Sequence, residues 1–299
     1  MENTKQMVNT KKKRQVALLF TATLILMLAV PAVAPAGPIT YATFDVPGAI
    51  STYGFGINPP GQIVGGYQSA DGAFHGYLLS KGSFTTVDYP TSVSGYATDI
   101  DPAGVIVGQY QSVDGAFHGY LLYRGVFTSI DPPGAIYTEA AGINPVGQIV
   151  GQFQSADWVF HGFLLGAGSF TTVDFPGATG TGAFGISPTG DIVGSYDNSD
   201  GTTHGFLLSK GSFTTVDFPG ANLTIAFGNN AAGEIVGLYY DADWVGHGFL
   251  LSKGAFTTID PPGSGFTMAF VIDPLGRILG FYVDADDMGH GFLLTRETQ

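Results

Sequence analysis

His75-Gly-Tyr-Leu-Leu-Ser-Lys-Gly-Ser-Phe-Thr-Thr-Val-Asp88 decides the fold, because the chain repeats it. The six histidines, His75, His118, His161, His204, His247 and His290, are each separated from the next by 43 residues. Thirteen residues after each of the first five stands an aspartate: Asp88, Asp131, Asp174, Asp217 and Asp260. The sixth matching aspartate, Asp45, lies one period before Asp88, at the start of the repeat region. A first unit that carries what the last unit lacks implies a ring.

Working outward from this stretch, each repeat offers four short strands. The first is exemplified by Tyr41–Asp45 and Phe84–Asp88, rich in β-branched and aromatic residues and ended by Asp-x-Pro. The second, Tyr53–Ile57, has small residues suited to a crowded axis, and runs into the turn Asn58-Pro-Pro-Gly61. The third, Gln62–Tyr67, holds an inner glycine in every copy, which marks a bulge or a close backbone approach. After the turn Ser69-Ala-Asp-Gly72 comes the fourth, His75–Leu79, and Lys81-Gly82 turns the chain into the next first strand. With that two-residue turn, His75 faces Asp88.

Three tight hairpins and one longer link per repeat predict four-stranded sheets ordered second, third, fourth, next first. The expected fold is all-β: a six-bladed β-propeller of six 43-residue repeats. The strand at 39–46 supplies the missing outer strand of the last blade. A β-solenoid fits less well, since its coils are usually shorter and it would need caps.

The repeated pattern Gly56-Ile-Asn-x-x-Gly61-Gln-Ile-Val-Gly65, then a variable loop, then His75-Gly-Tyr-Leu-Leu79, resembles the HAF-type extracellular repeat of secreted bacterial proteins. That family reads His-Ala-Phe where this chain has His75-Gly76-Tyr77. The resemblance covers almost all of 39–295 and implies an extracellular, propeller-like protein. It transfers no catalytic residue.

Residues 1–36 read as a secretory signal peptide: Lys11, Lys12, Lys13 and Arg14, then a 15-residue apolar run Val16–Val30, then Ala-x-Ala cleavage options ending at Ala34 and Ala36. An uncleaved N-terminal anchor is the alternative. Residues 37–299 then form a single domain, expected to be secreted or periplasmic and monomeric, with no membrane span after cleavage. Of 11 basic residues the leader takes five, and of 24 acidic ones it takes one, which leaves 6 against 23, a net charge of −17. That balance argues against nucleic acid as a partner. The chain has no cysteine, so packing and ring closure must stabilise it.

Four candidate features follow. The His–Asp pairs read as structural hydrogen bonds, because a reaction centre would occur once and no nucleophile recurs beside them. Asp71, Asp114, Asp157, Asp200, Asp243 and Asp286 occupy the third-to-fourth turn. The denser runs, with Asp241, Asp243, Asp284 and Asp286, make calcium a candidate ligand, against the plainer reading of turn-stabilising aspartates; no other cofactor is expected. Trp158 and Trp244 replace the turn glycine of other repeats, as contact aromatics or as covers over their own sheets. The repeat positions place the twelve aspartates at one face, and Lys81, Arg124, Lys210, Lys253, Arg277 and Arg296 at the other.

The resulting expectation is a non-catalytic binding or scaffold module, for carbohydrate or a protein partner on the acidic face, centred on Trp158, Trp244, Asp157 and Asp243. The alternative is a hydrolase or lyase at the mouth of a central channel, which would require Glu139, Asp191, Glu234 and Arg277 to cluster.

Overall fold

Period-2 alternation of apolar residues and glycine-bearing turns every ten or so residues favour strands, and among the described residues the regular elements are all strands. The computed structural model describes residues 39–296, within a unit spanning Ala36–Gln299. The signal-segment reading lies outside the described residues. The described residues contain 24 strands, paired in four-stranded antiparallel groups that fit six blades of a β-propeller. In the first group, Ser51–Ile57, Ile63–Gln68, Phe74–Ser80 and Ser83–Thr86 are neighbours in sequence order. The last group contributes Phe266–Ile272, Ile278–Val283 and Gly289–Arg296, and its outer strand is the N-terminal Ile39–Phe44. That strand runs antiparallel to Gly289–Arg296 from Ile39↔Arg296 to Phe44↔Gly291.

The turns explain the register. In the second-to-third turn Gly61 adopts φ 86°, and its N–H donates to Asn58 O at 2.9 Å. In the fourth-to-first turn Lys81 and Gly82 both have positive φ, 50° and 78°, the backbone of a two-residue hairpin whose twist matches the flanking strands. Ser80 therefore pairs with Ser83 and Leu79 with Phe84.

The inner-strand glycine marks a close approach, and the bulge lies on the facing strand. A Cβ at Gly65 would overlap Tyr53 O and come within 2.7 Å of the Tyr77 hydroxyl, while the register shift falls between Gly54 and Gly56.

The core sits between neighbouring repeats. Val64 of the first repeat packs with Ala97, Ile100, Ile106 and Tyr120 of the second. Leu279 of the last packs with Ile57, Ile63 and Tyr77 of the first, which carries the same interface across the chain's two ends. The second strands touch in cyclic order, and Phe266–Ile272 also touches Ser51–Ile57. One seam detail departs from the repeat. Where other outer strands have Val87 or Ile130, the closing strand has the larger Phe44, and the facing Gly54 stands where later repeats have alanine. A Cβ at Gly54 would come within 2.8 Å of the Phe44 ring.

Candidate functional site

Three groups of side chains carry polar chemistry: the His–Asp pairs, the third-to-fourth turns, and a cavity among the second strands. The two-residue turn brings each histidine opposite its aspartate. The Nδ1–carboxylate distances are 2.8 Å for His75–Asp88, 3.1 Å for His118–Asp131, 2.9 Å for His161–Asp174, 2.8 Å for His204–Asp217 and 2.8 Å for His247–Asp260. Across the seam His290 and Asp45 lie at 3.0 Å. Each imidazole also lies beside a third-strand ring, such as Tyr67 with His75 at 5.3 Å between centroids. Backbone joins in as well, for Gly76 N–H donates to Asp88 at 3.1 Å. The six pairs thus have one geometry repeated, each clamping the end of a fourth strand to the end of a first.

The last two repeats add a second carboxylate on Nε2: Asp241 at 3.4 Å from His247 and Asp284 at 3.2 Å from His290. Burial pulls the His290 pKa down, but the hydrogen bonds and charges of Asp45 and Asp284 outweigh it and hold the pKa above its ordinary value. Asp284 lies below the usual carboxylate range, through the Met288 amide first, then the Asp286 amide and His290. The signs set a pH window. A raised histidine pKa contributes stability that is complete below about 6.5 and is lost as pH rises through the folded value. A lowered aspartate pKa contributes stability that is present above about 3.9 and is lost as pH falls through its folded value. His290→Gln should therefore lower Tm more at about pH 5.5 than at about pH 8.5. Equal losses at the two pH values would show that charge plays no part in the pair.

The third-to-fourth turns share an αL residue at their tips, a glycine in the first, second and fourth repeats, such as Gly72 with φ 89°. Trp158 and Trp244 occupy the equivalent positions with φ 67° and 61°, and both are exposed, 73% and 64%. Trp244 touches Tyr240 at 5.9 Å; Trp158 makes no ring contact among the described residues. Asp157 accepts hydrogen bonds from Ser155 and Val159 of its own turn. The Asp243 carboxylate accepts none among the described residues, whereas Asp241 takes the Asp243 and Val245 amides at 2.9 Å. In the last repeat Asp284 takes the Asp286 and Met288 amides, at 2.9 Å and 3.0 Å. Asp157, Asp241 and Asp284 thus brace their turns. Among the described residues no group of three or more His, Asp and Glu converges with metal-ligand spacing.

The cavity was not legible from residue types alone. About 310 Å³ in volume, it is lined by Phe55, Tyr96, Glu139, Phe184, Phe227 and Phe270, with Thr98, Ala141 and Gln152 between them. Phe55, Thr98, Ala141, Phe184, Phe227 and Phe270 are one repeat position, 43 residues apart. Tyr96 and Glu139 share another, two residues earlier. Glu139 accepts from Gln152 Nε2 at 2.8 Å and from the Tyr96 hydroxyl at 3.4 Å. Burial pushes its pKa up against those hydrogen bonds. Farther along the same strands Asp99 is also pushed up, to about 7, by burial, although the Ile143 and Ile100 amides oppose it. Asp99 is a missed residue: it stands where the other repeats have glycine or valine next to the strand's end, a break in the repeat visible in the sequence.

The four residues whose clustering would favour a channel-mouth enzyme do not converge. Glu139 lines the cavity. Glu234 is held by Arg296 at 3.0 Å, Arg277 by Asp273 and Asn58 O, and Asp191 by Thr189 at 2.8 Å.

No protein-family model matches this chain. No curated protein matches it either. Solved structures do. A protein described as TolB from Agrobacterium tumefaciens superposes with TM-score 0.60 at 16% identity, covering 88% of this chain and 99% of that one. An Aleuria aurantia lectin mutant in complex with Fucα1-6GlcNAc gives TM-score 0.52 at 12% identity, covering 83% and 95%. The β-propeller domain of the Trilobed protease from Pyrococcus furiosus, with an open velcro topology, gives 0.53 at 9% identity, covering 84% and 96%. Likeness at these identities shows a propeller fold and no chemistry. No helix among the described residues is long and apolar enough to cross a membrane.

Proposed function

We propose that this chain is a secreted or periplasmic, six-bladed propeller of the HAF-repeat type that acts as a monomeric, non-catalytic binding module. Its ligand is a carbohydrate or a hydroxyl-rich protein surface, docked on the tips of the turns that carry Trp158 and Trp244. The blade count is supported by the cyclic contacts of the second strands and by the seam strand. One observation carries the binding reading: two indoles, 73% and 64% exposed, sit where the backbone is left-handed and where three of the four sister repeats use glycine, the last having Asp287. A non-glycine residue there costs about 1–2 kcal/mol, and so exposed a ring recovers little of it by burial within the chain. A ligand that stacks on the ring would recover it. Exposed aromatics beside carboxylates suit hydroxyl-bearing ligands, since the ring gives an apolar platform and Asp157 and Asp243 accept hydroxyl hydrogens.

The acidic face follows from strand direction in this reading. The Asp-x-Pro links and the third-to-fourth turns lie at one end of each blade. Arg277 and Arg296 meet the second-to-third turns, at Asn58 and Gly276, on the other end. A glycan array on the wild type and on Trp158→Gly/Trp244→Gly, each with and without Ca²⁺, tests the reading. The expected result is loss of at least about tenfold in binding with an unchanged or raised Tm, because glycine relieves the left-handed strain. Retained binding, or a Tm lowered by several degrees, refutes it; calcium dependence would assign the ion to Asp241, Asp243, Asp284 and Asp286.

A further inference from the structure

The cavity among the second strands is a separate site from the tryptophan turns, and its walls have a specific chemistry. Five rings form an unbroken arc: Tyr96 to Phe55 at 5.5 Å, Phe55 to Phe270 at 4.8 Å, Phe270 to Phe227 at 5.1 Å, and Phe227 to Phe184 at 5.6 Å. Each of the five remains partly exposed, so each offers surface to the cavity. The arc stops where the second and third repeats have Thr98 and Ala141 in place of phenylalanine. In that gap stands Glu139, held by Gln152 and Tyr96.

Glu139 is the one carboxylate lining the cavity, and no Lys, Arg or His lies within ion-pair distance of it among the described residues. Glu234 and Asp273 by contrast are compensated, by Arg296 and Arg277; Asp99, farther along the same strands, shares with Glu139 the lack of a counter-charge. A carboxylate surrounded by protein without a counter-charge is unfavourable, and ring faces attract cations through their quadrupoles. We propose that this cavity binds a small organic cation, an alkylammonium or quaternary ammonium group, seated between the Glu139 carboxylate and the rings of Phe55, Phe184, Phe227 and Phe270. A neutral guest of the same shape would fill the space but leave both the carboxylate and the ring quadrupoles unanswered. Residues 37–299 carry 23 acidic residues against 6 basic, a field that draws cations toward the site.

Isothermal titration of the purified chain with choline chloride and with tetramethylammonium chloride tests the proposal against 3,3-dimethyl-1-butanol, the uncharged shape match of choline. Choline should bind at least about tenfold tighter than the alcohol. Glu139→Gln should reduce that ratio several-fold, the rings keeping a residual preference for the cation, and Phe227→Leu should weaken both cations while leaving the carboxylate in place. The comparison of cation with alcohol needs no variant, so a misfolded Glu139→Gln leaves the test intact. Equal binding of choline and the alcohol, or no binding of either cation, overturns the proposal. Loss of glycan binding in the tryptophan double variant with cation binding unchanged would show that the two sites are independent.

Discussion

A chain lacking residues 39–46 should unfold at least about 10 °C lower than the intact one and aggregate as it does so. The deletion removes the whole ladder from Ile39↔Arg296 to Phe44↔Gly291. It also removes the Thr40–Thr295 hydroxyl contact at 2.5 Å, the Thr43–Tyr282 hydroxyl contact at 3.1 Å and the Asp45–His290 pair. Phe44 leaves its seat against Gly54, Gly291 and Leu279, so the interface between first and last repeats loses its plug. Burying one such side chain is worth about 1.5–3 kcal/mol, and a domain's net stability is only about 5–15 kcal/mol. A total loss of about 5 kcal/mol corresponds to roughly 10–20 °C for a domain near this size. The exposed edge of Gly289–Arg296 then offers an unpaired row of backbone groups to other molecules. Adding a peptide of residues 37–47 in trans should raise Tm with peptide concentration, as any ligand of the folded state does. If the deletion leaves Tm unchanged and the peptide does nothing, the two ends do not close the fold.

Gly237→Ala should be nearly as damaging, at about 3–5 kcal/mol, although it adds a single methyl group. Its Cβ would overlap Ile225 O on the neighbouring strand and come within 2.7 Å of the buried Phe249 ring. The first obstacle is backbone and cannot rotate away. The same arrangement recurs at Gly65, Gly108, Gly151, Gly194 and Gly280, so the site tests a feature of every repeat. Trimming the ring should not rescue it: Gly237→Ala/Phe249→Leu is expected to be less stable than either single variant, because the carbonyl overlap remains. Gly201→Ala is the control. It has φ 83° and an added methyl group would meet nothing within 4 Å, so it carries only left-handed strain, about 1–2 kcal/mol. Denaturant midpoints for the three variants rank these effects; a Gly237→Ala loss no larger than that of Gly201→Ala would sink the close-approach account.

The fold and the candidate site differ in how much of them the chain shows before it folds. The strands, their turns, the seam and the facing of His75 and Asp88 were legible because each depends on local chemistry: a glycine or lysine-glycine turn of fixed length sets the register, and a period of two sets which side chains share a face. The 43-residue period then copies that local answer along the chain. Trp158 and Trp244 could be placed at turn tips for the same reason, but whether they faced solvent or their own sheets could not, since either suits a left-handed tip. Their exposure is a property of the folded surface.

What only the tertiary structure decided are the contacts that span repeats. Arg296 reaches Glu234, 62 residues away, and Arg277 reaches Asn58, 219 away, because both depend on how neighbouring sheets sit together. The cavity is the strongest case. Phe55, Phe184, Phe227 and Phe270 are far apart in sequence, and each reads alone as an ordinary strand residue. They meet because the second strands of successive repeats line one axis, which brings equivalent positions of all repeats to the same level. There the breaks in the repeat, Thr98, Glu139 and Ala141, join Tyr96 as one wall of a single space. The sequence by itself determined which positions are equivalent; the twist accumulated from sheet to sheet decided that equivalent positions face one another across a common axis.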